Sequence, residues 1–343
     1  MAIPTSLTKS IASQQEKWDS GIPPALHPAA GVVGILALRC IARKCRLGAP
    51  RRLGQLATGF PISGRMAQKR VLDFKPPKNP IMDQPQLIAS AESRFRERSA
   101  KYGTKNSLLL RNEAVGQVHR GWLSRPVPLG ESGKPEGCPP NGFNVSVRIG
   151  VAQASKLREF GDLKHCLANQ ACVVDTPVQL ASCGHLEQLC KCSCRDRRDW
   201  ALFKEDHEAE YKQLPLAPSA QRRAVLALRH PSSGKRCGFR PHTLMFGAAA
   251  AVLHYNAFLR LITALVNQLM GIPLICCLDD CAAPVPGILA NKERDVSPSF
   301  CSLLGIRMTS PKSDVGDEVT FLCLRGGFSA PRKLTSAAHF PSG

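Results

Sequence analysis

Residues 272–280 read Ile272-Pro-Leu-Ile-Cys-Cys-Leu278-Asp279-Asp280, a continuous apolar run that stops on two adjacent carboxylates. The run is short enough for a buried strand. Two ionised groups at its end are costly unless a cation, a shared proton or water compensates them. A tight turn open to water is one solution. A divalent metal is the other, because hard oxygen ligands suit Mg²⁺, which keeps waters and substrate phosphates in its shell.

A second stretch repeats the pattern. Trp200-Ala-Leu-Phe-Lys-Glu-Asp206 is again apolar and ends in a carboxylate, then continues into His207-Glu-Ala-Glu-Tyr211-Lys-Gln-Leu-Pro215-Leu216. Two adjacent strands would bring Asp206 beside Asp279. Three carboxylates at one sheet edge can hold two divalent ions roughly 4 Å apart, the arrangement that supports in-line phosphoryl or nucleotidyl transfer.

The surrounding sequence predicts a mixed architecture. Strands are expected at 147–152 and 201–204, and 224–229 pairs with 235–239 across Pro231-Ser-Ser-Gly234. Residues 243–270 carry apolar side chains at helical spacing and stop at Gly271. A helix over 286–304 closes at Gly305 with Pro298 bending it, and a last strand covers 319–324. This order predicts an α+β sheet covered by helices on one face.

The motifs, taken in order, resemble a known family. Asp206-x4-Tyr211-Lys-Gln-Leu-Pro215-Leu216 resembles the first palm motif of reverse transcriptases, and Leu278-Asp279-Asp280 resembles their Asp-Asp hairpin. Thr243-Leu-Met-Phe-Gly247 resembles the motif between them, and Lys156-Leu-Arg158-Glu-Phe-Gly-Asp162-Leu-Lys164 resembles their fingers motif. Leu304-Gly305 through Pro311-Lys312-Ser313, then Phe321-Leu-Cys-Leu324, resemble the last two palm motifs. Gly121-Trp122-Leu123 stands where the resemblance begins. It covers about residues 113–328, and the ordered set is far more specific than any one motif.

The resemblance implies a right-hand polymerase fingers and palm, with an antiparallel palm sheet packed on helices. It implies an RNA-directed DNA polymerase of a retroelement, working by two-metal catalysis on an RNA template, a DNA primer and dNTP. Asp206, Asp279 and Asp280 would be the catalytic, metal-holding carboxylates, with Asp280 in the weaker supporting role, and the ions would be two Mg²⁺ (or Mn²⁺). Lys156 and Arg158 would hold the triphosphate, Arg158 through its bidentate fork. Tyr211 stands at the sugar gate, where a ring clashes with a 2′-hydroxyl. Gly247 would let backbone approach the nascent base pair, because it lacks a Cβ. Lys312 would serve pyrophosphate as proton donor or charge partner. Several positions depart from the family: Cys277 stands where an aromatic is usual, Cys276 and Cys281 where bulkier residues are common, Glu210 where Ala is usual, Gly161 where another Asp or an apolar residue is usual, and Phe246 where a polar residue is frequent. The alternative expectation is a catalytically inactive, truncated remnant that only binds nucleic acid. Fifteen residues follow Phe328, too few for a thumb.

Composition fits a nucleic-acid partner. The chain has 343 residues and a formal charge of +20, which attracts polyanions. Residues 1–112 carry 19 Lys/Arg against 6 Asp/Glu, and residues 113–343 carry 27 against 20. Three expected regions follow: a basic, Pro-rich, disordered leader over 1–112, fingers and palm over 113–328, and a disordered tail over 329–343. No secretory signal opens the chain, and the apolar stretch at 29–38 is too short to span a bilayer. His254, Asn256 and Arg260 interrupt the longer one at 244–266, which reads as a buried helix rather than a membrane segment. The expectation is an intracellular protein of nucleus or cytoplasm, not secreted, whose 15 cysteines are reduced thiols. Cys183, His185, Cys190, Cys192 and Cys194 invite a zinc reading, but Cys-x-Cys-x-Cys lacks finger spacing, so zinc is not expected.

Overall fold

The structure is a computed structural model. It describes residues 34–47, 50–66, 93–95, 97, 107–130, 143–152, 157–174, 178, 180–193, 199–309, 313–316, 318–321, 324–329, 333–334 and 337–338. It combines helices with mainly antiparallel sheets, as the α+β expectation requires.

One end of the chain's logic lies in β1 (Gly64–Met66), α1 (Ile35–Lys44) and α2 (Pro50–Thr58). The other lies in a five-stranded sheet of β2 (Val127–Pro128), β3 (Val145–Ala152), β4 (Leu157–Gly161), β7 (Val225–Arg229) and β8 (Arg236–Phe239), in the order β2-β8-β7-β3-β4. Helix α3 (Ser107–His119) packs beside it. Strands β7 and β8 form the hairpin expected across Pro231–Gly234. Strand β5 (Cys172–Val174) pairs in parallel with β1.

A four-stranded antiparallel sheet carries both acidic stretches. It consists of β6 (Trp200–Asp206), β9 (Ile275–Cys277), β10 (Asp280–Pro286) and β11 (Asp314–Gly316), in the order β11-β6-β10-β9. Alternation along β6 sends Ala201 and Phe203 into the main core and Leu202 into a smaller one. Helices α5 (Ala249–Met270) and α6 (Ala290–Leu303) belong to the main-core side, and α4 (Cys183–Ser193) supplies Leu186 and Cys190 to the other. The sheet is therefore covered on both faces, not on one as expected. Both sets of β6 side chains are apolar, so neither face can be left to water.

Boundaries move where backbone chemistry demands it. Helix α5 starts at Ala249 rather than 243, because the chain before it is extended: Thr243 bridges Pro215, and Gly247 has φ +94°. It ends at Gly271, in the left-handed conformation that favours glycine. The strand expected over 272–278 shortens to Ile275–Cys277, since Pro273 has no N–H for a ladder. Helix α6 keeps Pro298 inside it.

The leader expectation fails over residues 34–66. Leu38, Leu53, Leu56, Phe60 and Ile62 lie in the main core. Gly34 N–H donates to the Leu304 carbonyl at 2.6 Å, and Phe60 exchanges backbone hydrogen bonds with Pro215 and Ala217. Basic composition hid an amphipathic helix: Leu38, Ala42 and Cys45 face inward while Arg39, Arg43 and Lys44 face out. Elsewhere in the expected leader, Arg96, Arg98 and Lys101 lie outside the described residues. In the expected tail, Lys333–Leu334 and Ala337–Ala338 each pair with a strand at Leu324–Ser329.

Candidate active site

Register brings the acidic stretches together. Asp206 is the direct cross-strand partner of Asp280, at the end where β6 and β10 meet the turn Leu278-Asp279. The Asp279 carbonyl accepts the His207 N–H at 3.0 Å, and the Asp206 carbonyl accepts the Thr309 N–H at 2.7 Å. Leu278 has φ +55°, strained for an ordinary side chain. That turn places Asp279 beyond the strand, so Asp206 faces Asp280 in register, while the next residue, His207, bonds the Asp279 backbone. Lys204 Nζ lies 3.0 Å from Asp280 Oδ1.

A strained pair follows Asp206. Ala209 and Glu210 have φ of +57° and +39°, and a 3-10 turn over Glu210–Gln213 begins there. This tucks Glu210 inward, where its carboxyl hydrogen-bonds the Asp279 side chain. Burial, then that bond and the Asp279 charge, push the Glu210 carboxyl well above the usual range. Burial first, and these carboxylates after it, also raise the hydroxyls of Tyr211 and Tyr255. The Tyr255 hydroxyl is buried without a hydrogen-bond partner. Burial pulls neighbouring His207 down to about 4, so it is neutral, and its ring stands edge-on to Tyr255 at 6.2 Å.

An aromatic chain links the carboxylates to the five-stranded sheet. Tyr211 packs edge-on against Tyr255 at 5.4 Å and against Phe246 at 5.0 Å. The Arg158 guanidinium lies over Phe246 at 5.1 Å. Gly247 does come close to backbone, but to that of β4: a Cβ there would collide with the Gly161 carbonyl, and Gly161 N–H donates to the Phe246 carbonyl at 3.1 Å. Asn169, which the motif pattern did not flag, clamps this bend. Its Nδ2 donates to the Gly247 carbonyl at 2.8 Å and its Oδ1 accepts the Ala249 N–H at 2.9 Å. No local signal marks Asn169, since its partners are about eighty residues away.

Asp206, Tyr211, Gly247, Asp279, Asp280 and Arg158 thus lie along one continuous set of contacts. Lys156 and Lys312 lie outside the described residues, as does Cys194. In the zinc candidate, Cys183 Sγ–H faces the Phe321 carbonyl, His185 contacts Ser182, Cys190 is buried and Cys192 is exposed.

The thiol expectation needs one correction. Cys276 and Cys281 form a disulfide across the β9–β10 pair, where they are direct register partners. Opposed positions on an antiparallel pair bring their Cα atoms to 4.1 Å. That pairing is not legible in the cysteine spacing, which does not reveal strand register.

The donor chemistry fits a divalent cation. Asp206, Asp279 and Asp280 are hard oxygen donors at one sheet edge, where burial first, and the Asp279 and Asp206 charges after it, push the Glu210 carboxyl up. As the side chains stand, no three His, Cys, Asp or Glu among the described residues converge on one point. Asp280 is turned to Lys204, and Asp279 to Glu210.

No protein-family model matches the chain. No curated protein matches it either. Among solved structures it is similar to the foamy viral protease-reverse transcriptase in complex with double-stranded DNA, at 16% identity and TM-score 0.47, over 65% of this chain and 34% of that one. The same viral protein in complex with an RNA/DNA hybrid gives 16% identity and TM-score 0.45, over 65% and 26%. A mutant of the Prototype Foamy Virus protein gives 14% and 0.43, over 61% and 24%. The chain spans about a third or less of these proteins' length.

Proposed function

We propose that this chain is the fingers and palm of an RNA-directed DNA polymerase from a retroelement. The observation that carries this reading is the register pairing of Asp206 with Asp280, with Asp279 in the adjoining turn and Tyr211 five residues after Asp206. An ordered motif set and a sheet that delivers its carboxylates to one edge are independent observations that agree.

Asp206 and Asp279 would hold the divalent ions, Mg²⁺ or Mn²⁺, with Asp280 in support. Bound there, such ions lower the pKa of an attacking 3′-hydroxyl and neutralise departing pyrophosphate. The remaining work falls to the chain's own residues. Arg158, presented by β4 over Phe246, binds the triphosphate, and Lys156 and Lys312 add positive charge to it. Tyr211, fixed between Phe246 and Tyr255, lies beneath the sugar and excludes a 2′-hydroxyl. Lys204 holds Asp280 on its strand. Fingers and palm occupy about 113–328, with α1 and α2 packed into the same core. The partners are an RNA template, a DNA primer and dNTP, in the nucleus or cytoplasm.

A second reading, a catalytically silent nucleic-acid binder, is favoured by one arrangement: Asp280 is paired with Lys204 and Asp279 with Glu210. Primer extension on an RNA template, with Mg²⁺ and with Mn²⁺, separates the two. Template-dependent dNTP incorporation supports the polymerase. Salt-sensitive binding without incorporation supports the silent binder.

A further inference from the structure

A buried ionic cluster between the five-stranded sheet and the 3-10 turn takes no part in this mechanism. Lys212 Nζ donates to Glu159 Oε1 at 2.7 Å, with the side chains only 9% and 14% exposed. Gln117 Nε2 donates to the same oxygen at 2.5 Å. Arg148, wholly buried, stands 3.6 Å from it, and none of its guanidinium nitrogens has a hydrogen-bond partner. Beyond Lys212 the Trp122 ring is flanked by three cations: Arg120 at 4.7 Å, Arg307 at 5.3 Å and Lys212 itself at 5.5 Å. Burial draws the Lys212 ammonium down to about 8. It also opposes the Glu159 carboxylate, which Lys212 and Arg148 together still hold below the usual range.

Such a pair gives little net stability, because desolvating both ions offsets their attraction. Its placement suggests another use. Glu159 follows Arg158 on β4, so the two side chains leave the strand on opposite faces. Lys212 follows Tyr211 in the 3-10 turn. Each partner is thus one residue from a group that would grip the nucleotide. The bond joins segments 53 residues apart in the chain.

We propose that Glu159 is a positioning residue: bonded to Lys212, it fixes the distance between Arg158 and Tyr211, so that triphosphate and sugar are held together. This rests on the polymerase reading of the site. Arg158 touches Phe246 and Phe246 touches Tyr211, so the aromatic contact closes the cluster on its other side. Removing the carboxylate charge lets β4 and the 3-10 turn shift independently while each keeps its own backbone bonds.

The test is Glu159→Gln in two measurements. Steady-state primer extension should show the dNTP KM raised about tenfold with kcat changed less than about twofold, and weaker discrimination against ribonucleotides. Hydrogen exchange read by mass spectrometry should rise about tenfold at the Lys212 and Leu214 amides, bonded to Ala209 and Tyr211, and stay unchanged in β7. The triple variant Arg148→Met/Glu159→Met/Lys212→Met removes all three buried charges together at similar volume and so retains the fold. It should show the same KM rise. Unchanged KM in Glu159→Gln, unchanged exchange in the 3-10 turn, or wild-type KM in the triple variant each overturns the proposal. No incorporation by the wild type, with exchange still responding to Glu159→Gln, overturns the polymerase reading and leaves the coupling standing.

Discussion

Glu205 sits one residue before Asp206 and points the other way, beneath the sheet. Its Oε2 accepts the Ser297 hydroxyl at 3.0 Å, while Oε1 is buried without a partner. Burial pushes this carboxyl up to about 7, against 4.5 for an ordinary glutamate. The folded state therefore holds a proton between those values that the unfolded chain has lost. Stability from this group is present in full below pH 4.5 and is lost as pH rises through 7. Glu205→Gln removes that dependence. It should match wild type near pH 4 and exceed it at pH 8 by roughly 3 kcal/mol, checked by urea unfolding at both pH values. The same locality explains what could be read from sequence. Asp206, Asp279 and Asp280 were legible because each ends an apolar run. The inward turn of Glu210 was not, because it depends on two positive φ angles that no residue type there announces.

The bend before α5 shows how elements meet to form the site. Hairpin β7–β8, the close of α5 at Gly271 and the strand β6 all follow from punctuation and alternation, and all stand where the pattern puts them. Gly247 was legible as a glycine of consequence, but its neighbour was not. The backbone it lies against is Gly161, a strand from a different sheet. Gly247→Ala combines a φ of +94° with a collision against the Gly161 carbonyl, so the bend must open. The expected cost is about 2–4 kcal/mol in urea unfolding, more than a surface Gly→Ala change of under about 1 kcal/mol. Opening the bend also moves Phe246, and with it the support under Arg158 and Tyr211.

Across the whole molecule, charge proved a poor guide to what folds. Residues 1–112 carry a large positive excess, yet 34–66 contribute eight core side chains, Leu38 among them at 0% exposure. Average composition conceals a stripe, and only burial reveals it. Leu38→Ala should lower stability by about 2–5 kcal/mol in urea unfolding, whereas a substitution in an unpacked arm leaves the midpoint unchanged. Arg39, Arg43 and Lys44 stand on the outer side of α1, a positive surface of the sign that attracts polyanions. The proposed catalysis at the edge where Asp206 and Asp280 pair is tested most directly by primer extension on an RNA template with the purified chain and Mg²⁺ or Mn²⁺, run beside Asp279→Asn. The predicted result is template-dependent incorporation by the wild type and a loss of about a thousandfold or more in Asp279→Asn. Incorporation that survives Asp279→Asn, or no incorporation by the wild type with either metal, contradicts it.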